Sequence, residues 1–355
     1  MVSLEEKLKC LELLDKGYNS RRIYEEYYRD LYPETKYRSF TVTLSRWKSK
    51  YLNSADKETL RQGTYPNFEA HGATVQINKS GEVVQAWIKQ SNKGIDIEEL
   101  LESIKEHTTP VLVNPKDYPS TANMLEIPLY DMHFPMSEYK EVMEDIIYII
   151  TKKRYDEINI ILGQDMFHND DFRGRTSSGR YIERVDIVKA WKMAEEFWYN
   201  IIYYSLEYSN RVNLIYSKGN HDESLSWAFV QELACMFPEL SVDDSLKHRK
   251  CIHWNGCFIG ITHGHTKKNS DFRSLRSQFT IEYPKQFADS SVREIHAGHL
   301  HHEESGDIYG VTIRRLSSAV PTDEWSDNEG YVGAHKRFML FEWEPHRLNS
   351  IHFIY

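Results

Sequence analysis

The chain has 355 residues, is 40% apolar and 13% aromatic with 23 tyrosines, and carries a formal net charge of -9. Its length predicts about two domains of roughly 100–200 residues each. The composition excludes a disordered chain, and the acidic balance excludes a uniformly basic nucleic-acid coat while leaving room for a local basic face. The four cysteines, Cys10, Cys235, Cys251 and Cys257, form no CxxC pair, so a reducing, cytoplasmic setting without a disulfide framework is expected. The first residues, MVSLEEKLKCLELL, carry acids and lysines through their apolar positions, unlike a signal peptide. No apolar run reaches 18 residues, so no membrane span is expected.

In chain order, residues 3–52 predict helices. Leu4, Leu8, Leu11 and Leu14 recur at helical spacing. Gly17 ends that helix, and Asn19-Ser20 caps a second one that carries Ile23, Tyr24 and Tyr27 and stops near Pro33. A third begins near Ser39 or Thr41 and runs through Leu44, Trp47 and Tyr51. The outline is an N-terminal all-α, helix-turn-helix-like domain, residues 1–55. Its last stretch, 37–51, holds Arg38, Arg46, Lys48 and Lys50 and no acid. These four are candidate DNA contacts, to phosphates or base edges. The competing expectation is a small helical bundle used for packing or dimerisation.

Residues 56–121 predict a connector with a β-hairpin and a helix. Segments 73–77 and 83–88 flank the turn Asn78-Lys-Ser-Gly81. A polar helix over 95–107 follows, and Pro110, Pro115 and Pro119 mark an extended entry into the next domain. From 122 to 355, apolar runs of strand length (124–129, 158–162, 212–216, 257–261 and 292–297) alternate with helical stretches such as 138–153 and 185–208. This predicts a layered α/β domain with two packed sheets. Tail strands near 312–316 and 337–344 are expected to finish the second sheet.

Each of the five apolar runs leads into a short motif rich in metal ligands. In order they are Asp131-Met132-His133, Gly163-Gln164-Asp165, Gly219-Asn220-His221-Asp222, His263-Gly264-His265 and Gly298-His299-Leu300-His301. Sites in layered α/β folds lie beyond the carboxyl ends of strands, where all five would fall. Any one motif is a common chance match. The ordered set points to two-metal phosphoester chemistry, because few other reactions call for two Asp, an Asn and several His from strand ends. The Asp and His of DxH alternate along an extended segment and so point the same way. A carboxylate, with two oxygens and a full charge, suits a bridge between two cations. The mixed N/O donor set favours Mn, Fe or Zn over Mg or Ca.

Over residues 125–355 this pattern resembles the calcineurin-like metallophosphoesterase superfamily, whose motifs run DxH, GDxx, GNH[DE], a lone His after a strand, then GHxH. The departure is Gln164, inserted between Gly163 and Asp165. The resemblance implies a four-layer α/β/β/α sandwich and two divalent metal ions, Mn²⁺ first, with Fe or Zn²⁺ as alternatives. It implies Asp131, His133 and His301 as ligands of one ion, Asn220, His263 and His299 as ligands of the other, and Asp165 as the bridge. His263 is taken because it lies directly at a strand end, and His265 stays open as the alternative. The implied mechanism is attack by a metal-bridging hydroxide, with His221 as general acid and Asp222 holding its tautomer.

Asp165-Met166-Phe167-His168 resembles the double-strand-break-repair exonuclease branch, which implies that His168 orients the phosphate or the strand. In the following loop, Arg173, Arg175 and Arg180 are candidate grips on a polynucleotide backbone, unless the loop is merely a mobile surface segment. Trp325 is a candidate base-stacking residue, with a buried core role as the alternative. The layout also resembles phage- or mobile-element-encoded phosphoesterases with a helical front domain. The expected function is a nuclease hydrolysing DNA phosphodiester bonds, with DNA as partner and no membrane association. A homodimer and a partner ATPase both stay open. The alternatives are a phosphatase or phosphodiesterase acting on a phosphoprotein, cyclic nucleotide or small phosphodiester, and a DNA-binding regulator whose phosphoesterase domain is structural.

Overall fold

The computed structural model describes residues 2–16, 18–51, 68–77, 83–92, 97–113, 118–266, 271–320 and 335–355. The chain divides into two compact units, Met1–Leu100 and Leu101–Tyr355.

In the first unit, α1 (Leu4–Asp15) opens with a reciprocal cap. Glu6 N donates to Ser3 Oγ at 3.2 Å, and Ser3 N donates to Glu6 Oε2 at 2.7 Å. The second helix begins as α2 (Ser20–Ile23), with Asn19 Oδ1 accepting from Arg22 N, passes through a π-helical stretch (Tyr24–Tyr28) and ends as α3 (Arg29–Leu31). The third, α4 (Tyr37–Tyr51), starts earlier than Ser39. A small core of its own gathers Cys10, Leu11, Ile23, Tyr28, Phe40, Leu44 and Trp47. Strands β1 (Phe68–Ile77) and β2 (Val83–Asn92) pair antiparallel. Helix α5 (Ile97–His107) follows and straddles the division between the units. Gly17, the turn 78–81 and Pro115 lie outside the described residues.

The second unit contains two mixed sheets. The larger uses β3 (Met124–Pro128), β4 (Glu157–Gly163), β5 (Val212–Ser217), β6 (Ser241–Asp243), β12 (Phe338–Glu344) and β13 (Arg347–Ile354), ordered β13-β12-β3-β4-β5-β6. Strands β3 to β6 are parallel, and β12 runs antiparallel to both β3 and β13. The smaller uses β7 (Lys250–Trp254), β8 (Cys257–Thr262), β9 (Val292–Ala297), β10 (Glu304–Asp307) and β11 (Thr312–Arg315), ordered β10-β11-β9-β8-β7.

Alternation along the strands sets the layers. Leu125 and Ile127 of β3, and Ile158, Ile160 and Leu162 of β4, pack against α6 (Lys140–Lys152), α7 (Ile187–Tyr208) and α8 (Glu223–Met236). The opposite faces meet between the sheets, where Met124, Ile161, Met339, Phe341 and Trp343 face Cys257, Ile259 and Ile261. On the far side, Phe258, Ile295 and Ile313 pack on α9 (Phe272–Glu282) and α10 (Pro284–Ala288). The order is therefore helices, sheet, sheet, helices. Each large apolar side chain buried in these layers stabilises the fold by about 1.5–3 kcal/mol. Among the described residues, no helix is long and apolar enough to cross a membrane.

One expectation fails. Strand β12 does not finish the second sheet but returns to the first, beside β3. Its sequence is apolar on both faces, with Phe338 and Leu340 in the helix-side core and Met339, Phe341 and Trp343 between the sheets. Such a strand needs cover on both sides, which the place beside β3 supplies. Strand β11 does belong to the smaller sheet, as expected.

Candidate metal centre

All five motifs sit just past strand ends, on β3, β4, β5, β8 and β9. The segment after β3 continues alongside the segment after β4. Asp131 N donates to Gln164 O (2.9 Å), His133 N to Asp165 O (3.0 Å) and Phe134 N to Met166 O (2.8 Å). Asp131, His133, Gln164, Asp165, His299 and His301 all have φ between 50° and 77°. A left-handed backbone at six non-glycine residues is costly, about 1–3 kcal/mol each, and clusters of this kind mark functional sites. Two glycines are required by close approach: a Cβ on Gly219 would fall 1.9 Å from Asp165 Oδ1, and one on Gly298 would fall 2.6 Å from Asp131 Oδ2.

The side chains form adjoining groups. Asp131, His133 and His301 converge with their ligand atoms within 4.8 Å of one another, and so do Asp165, His263 and His299. In the first group His133 Nε2 lies 3.2 Å from His301 Nε2, and Asp131 Oδ1 lies 3.5 Å from His301 Nε2. Asp131 Oδ2 accepts from His299 N at 2.8 Å. In the second group Asp165 Oδ1 accepts from the backbone N–H of both Asn220 and His221 at 2.7 Å. Its Oδ2 lies 3.0 Å from His263 Nε2, which is also 3.0 Å from Asn220 Oδ1. His265 lies beside this group, its ring 5.4 Å from that of His263 and 6.1 Å from that of His299.

The electrostatics follow from two carboxylates sharing a dry site with several imidazoles. Burial alone would raise both carboxyl groups, but His301 and His263 hold Asp131 below the usual range, and His263 and His221 hold Asp165 well below it. Burial works against a charge on His263 too, yet Asp165 and Asp131 lift it to about 9. His299 is pushed down to about 4 by burial and by His263, and His133 falls well below its ordinary value through burial and its neighbouring His221 and His301. Both are therefore neutral near pH 7, the form that binds metals.

Buried Asp131 Oδ1, His133 Nδ1 and His263 Nδ1 have no close hydrogen-bond partner among the described residues. A carboxylate oxygen left without a close hydrogen bond among converging imidazole nitrogens is a donor set that divalent cations satisfy, so the residues present fit the two-metal expectation.

A third trio, His133, His168 and His221, shares the open end of the site. His221 Nδ1 lies 2.9 Å from the carbonyl oxygen of His168. A carbonyl only accepts, so Nδ1 carries the proton and Nε2 is left for other work. This corrects the role expected of Asp222. Its Oδ2 accepts from Phe167 N at 2.8 Å, and its carboxyl group is fully buried and raised well above the usual range by burial and by Asp165. The tautomer of His221 is set by the backbone.

The motif residues open onto a cavity of about 350 Å³, whose walls include His133, Asp165, His168, Asn220, His221 and His299. The loop after His168 supplies Arg180, Tyr181 and Glu183. The three candidate arginines thus separate: Arg180 lines the cavity, Arg175 is engaged with Asp171 (Nε to Oδ2, 2.6 Å) and Arg173 is exposed outside the cavity wall. Tyr181 and Glu183 were not singled out from the sequence, where the only signal was their place between two motifs. Arg38 is exposed on α4, in the other unit. Trp325 and the side chains of Arg46, Lys48 and Lys50 lie outside the described residues.

No family model and no curated protein sequence matches the chain. Solved structures similar to it include a zinc-complexed Vps29 from Entamoeba histolytica, 16% identical, with 65% of this chain and 96% of that one covered at a TM-score of 0.35. A conserved uncharacterized protein from Streptococcus pneumoniae TIGR4, described as a predicted phosphoesterase, is 15% identical over 66% of this chain and 90% of that one, with a TM-score of 0.34. An archaeal phosphodiesterase is 10% identical over 65% of this chain and 99% of that one, with a TM-score of 0.35. These likenesses are too distant to transfer a role to any residue.

Proposed function

We propose that the chain is a metal-dependent phosphoesterase of the calcineurin-like kind, acting as a nuclease on DNA phosphodiester bonds. The observation that supports it is the pair of buried ligand groups, Asp131/His133/His301 and Asp165/His263/His299, set beside a histidine that does not join either group. Two divalent ions, Mn²⁺ foremost, would be held by these residues, with Asn220 completing the second group and Asp165 between the two. When bound, such ions supply Lewis-acid activation of water and of the phosphoryl oxygens.

The chain's own residues do the remaining work. Asp165 is fixed by two backbone N–H groups and keeps its second oxygen turned to His263. His221, oriented by the His168 carbonyl, offers Nε2 for proton delivery to the leaving alkoxide. His168 edges the same cavity and holds the phosphate in place. The basic stretch of α4, Arg38 with Arg46, Lys48 and Lys50, is assigned to phosphate contacts that bring DNA to the enzyme.

The test is incubation with Mn²⁺ and end-labelled single- and double-stranded DNA beside a His221→Ala control. Metal-dependent cleavage that falls by about 10²–10⁴-fold in the variant is expected. Loss of all cleavage, with hydrolysis of a small aryl phosphodiester retained, overturns the nuclease assignment. It would favour the second reading, a phosphodiesterase for small substrates, which the modest volume of the cavity also favours.

A further inference from the structure

The loop between the second and third motifs, residues 169–186, supplies Arg180, Tyr181, Ile182 and Glu183 to the cavity wall, where Met136 and Val320 also stand outside the metal-ligand motifs. It is fastened by its own polar side chains. Asp170 Oδ1 accepts from Ser224 N and Leu225 N, both at 2.9 Å, at the start of α8. Ser177 Oγ accepts from Glu223 N at 2.7 Å, while Ser177 N donates to His221 O at 3.1 Å. Asn169 spans the loop's base, donating from Nδ2 to Glu183 O and accepting at Oδ1 from Val185 N, both at 2.9 Å. The first end and the middle are therefore tied to the segment that carries His221, and the last end is tied back to Asn169. A loop held this way presents its side chains with little ordering cost on binding.

What it presents differs from residue to residue. Arg175 is committed to Asp171. Arg180 has no ion pair and no side-chain hydrogen bond among the described residues, yet it lines the cavity with His168 and His221. Tyr181 lines the same cavity while 70% exposed, so its ring is not needed for the core. Glu183 lines the wall as well, its carboxylate likewise unengaged among the described residues. An uncommitted guanidinium, an aromatic face and a carboxylate within four residues match the three parts of a nucleotide. The guanidinium suits the phosphate, the ring suits the base, and the carboxylate accepts from amino or hydroxyl groups. The cavity, about 350 Å³, lies at the small end for ligand sites and has room for one such unit rather than a double helix.

We propose that residues 169–186 form a fixed hood that admits a single unpaired nucleotide, its base on Tyr181 and its phosphate on Arg180, so that the substrate is single-stranded DNA. This rests on the nuclease reading above and narrows it.

The test compares initial rates in Mn²⁺ on an end-labelled single-stranded oligonucleotide, the same sequence as a duplex, and bis(p-nitrophenyl) phosphate, with metal binding followed by calorimetry. The single strand is expected to be cut at least about tenfold faster than the duplex. Tyr181→Ala should lower kcat/KM on the single strand by about 5- to 150-fold, mainly through KM, as one lost base–aromatic stack of about 1–3 kcal/mol would. Tyr181→Phe should restore it, and Mn²⁺ affinity should be the same in all three proteins. Equal cutting of duplex and single strand, or unchanged kinetics in Tyr181→Ala, overturns the hood alone. Hydrolysis of the aryl ester but of no oligonucleotide overturns the hood and the nuclease assignment while leaving the phosphoesterase standing. No hydrolysis of any substrate by Mn²⁺-bound protein overturns all three.

Discussion

Asp131 and Asp165 are both buried carboxylates placed just past parallel strand ends, yet the protein holds them differently. Asp165 sits in a backbone cradle, with one oxygen accepting two N–H bonds and the other facing His263. Asp131 accepts one backbone bond through Oδ2, and the only hydrogen-bond approach to its Oδ1 among the described residues is the longer one of His301 Nε2, at 3.5 Å. His263 and His221 do most to keep Asp165 ionised, and the cradle adds to them, since hydrogen bonds to a carboxylate favour its ionised form. Asp131 has the imidazoles of His301 and His263 and a single backbone N–H. The second ligand group is therefore preorganised by the fold, whereas the first is completed by what binds there.

The sharpest way to break this contrast is Asp165→Asn. The amide oxygen can still accept from Asn220 and His221, so the fold survives, but the carboxylate charge proposed to serve both groups is gone. Calorimetry should show both Mn²⁺ equivalents lost or greatly weakened, and activity should drop by roughly three orders of magnitude or more, as for members of a catalytic unit. Next comes Asp131→Asn, which should remove one equivalent and leave the second near its wild-type affinity, because the Asp165 cradle is untouched. Loss of both equivalents in Asp131→Asn would show that the second group is not independently formed.

The convergence of these side chains was legible in the sequence because each belongs to a short polar motif ending an apolar run, and the chain order supplies the rest. The five strands carrying them were legible for the same reason. Other elements carry weaker patterns. Helix α8 reads ESLSWAFVQELACM, with buried side chains in the helix-side core and its first turn bonded to loop 169–186, so its apolar residues spread beyond a clear stripe. Strand β13 carries Arg347, Asn349, Ser350 and His352, as an edge strand does, and so resembles a loop. The placement of β12 required knowing which sheet lacked a neighbour, which periodicity does not carry. The held state of loop 169–186 was equally hidden. Asp170, Asn169 and Ser177 look like ordinary loop residues until their partners at 183–185 and 221–225 are brought near.

A control that should weaken both ligand groups alike lies between the sheets. His296 Nδ1 is 2.7 Å from Glu126 Oε1, its Nε2 is 3.3 Å from Glu294 Oε2, and Trp343 Nε1 donates to Glu126 Oε2 at 3.0 Å. This links β3, which leads to Asp131, with β9, which leads to His299 and His301. Burial disfavours a charge on His296, but Glu126 and Glu294 outweigh it and raise the group to about 9. Since the folded value lies above the unfolded one, about 6.5, its stabilising contribution is complete below that lower value. It is lost as pH rises through about 9. Urea midpoints should fall between pH 7 and 10 in the wild type. His296→Gln should be less stable at pH 6.5, show a flatter profile, and bind both Mn²⁺ equivalents more weakly by a similar factor. A selective loss of one equivalent would mean that the link serves one group rather than the spacing of the sheets.

The smallest expected effect is the most discriminating for the proton at His221. Asp222 follows His221 directly, and from sequence it is the natural holder of the imidazole. In the fold it accepts from Phe167 N instead, while the His168 carbonyl accepts the hydrogen bond from Nδ1–H. Asp222→Asn keeps an oxygen for Phe167, and burial together with Asp165 already drives this carboxyl group toward its neutral form. The substitution should therefore alter kcat by less than about threefold, shift stability by no more than about 1 kcal/mol, and leave the pH–rate profile in place. If Asp222 instead fixed the tautomer or stabilised the protonated ring, the acid limb of that profile would move and the rate would fall on the scale of a lost general acid, about 10²–10⁴-fold. That result would transfer control of the proton from the His168 backbone carbonyl to a side chain that neither group uses.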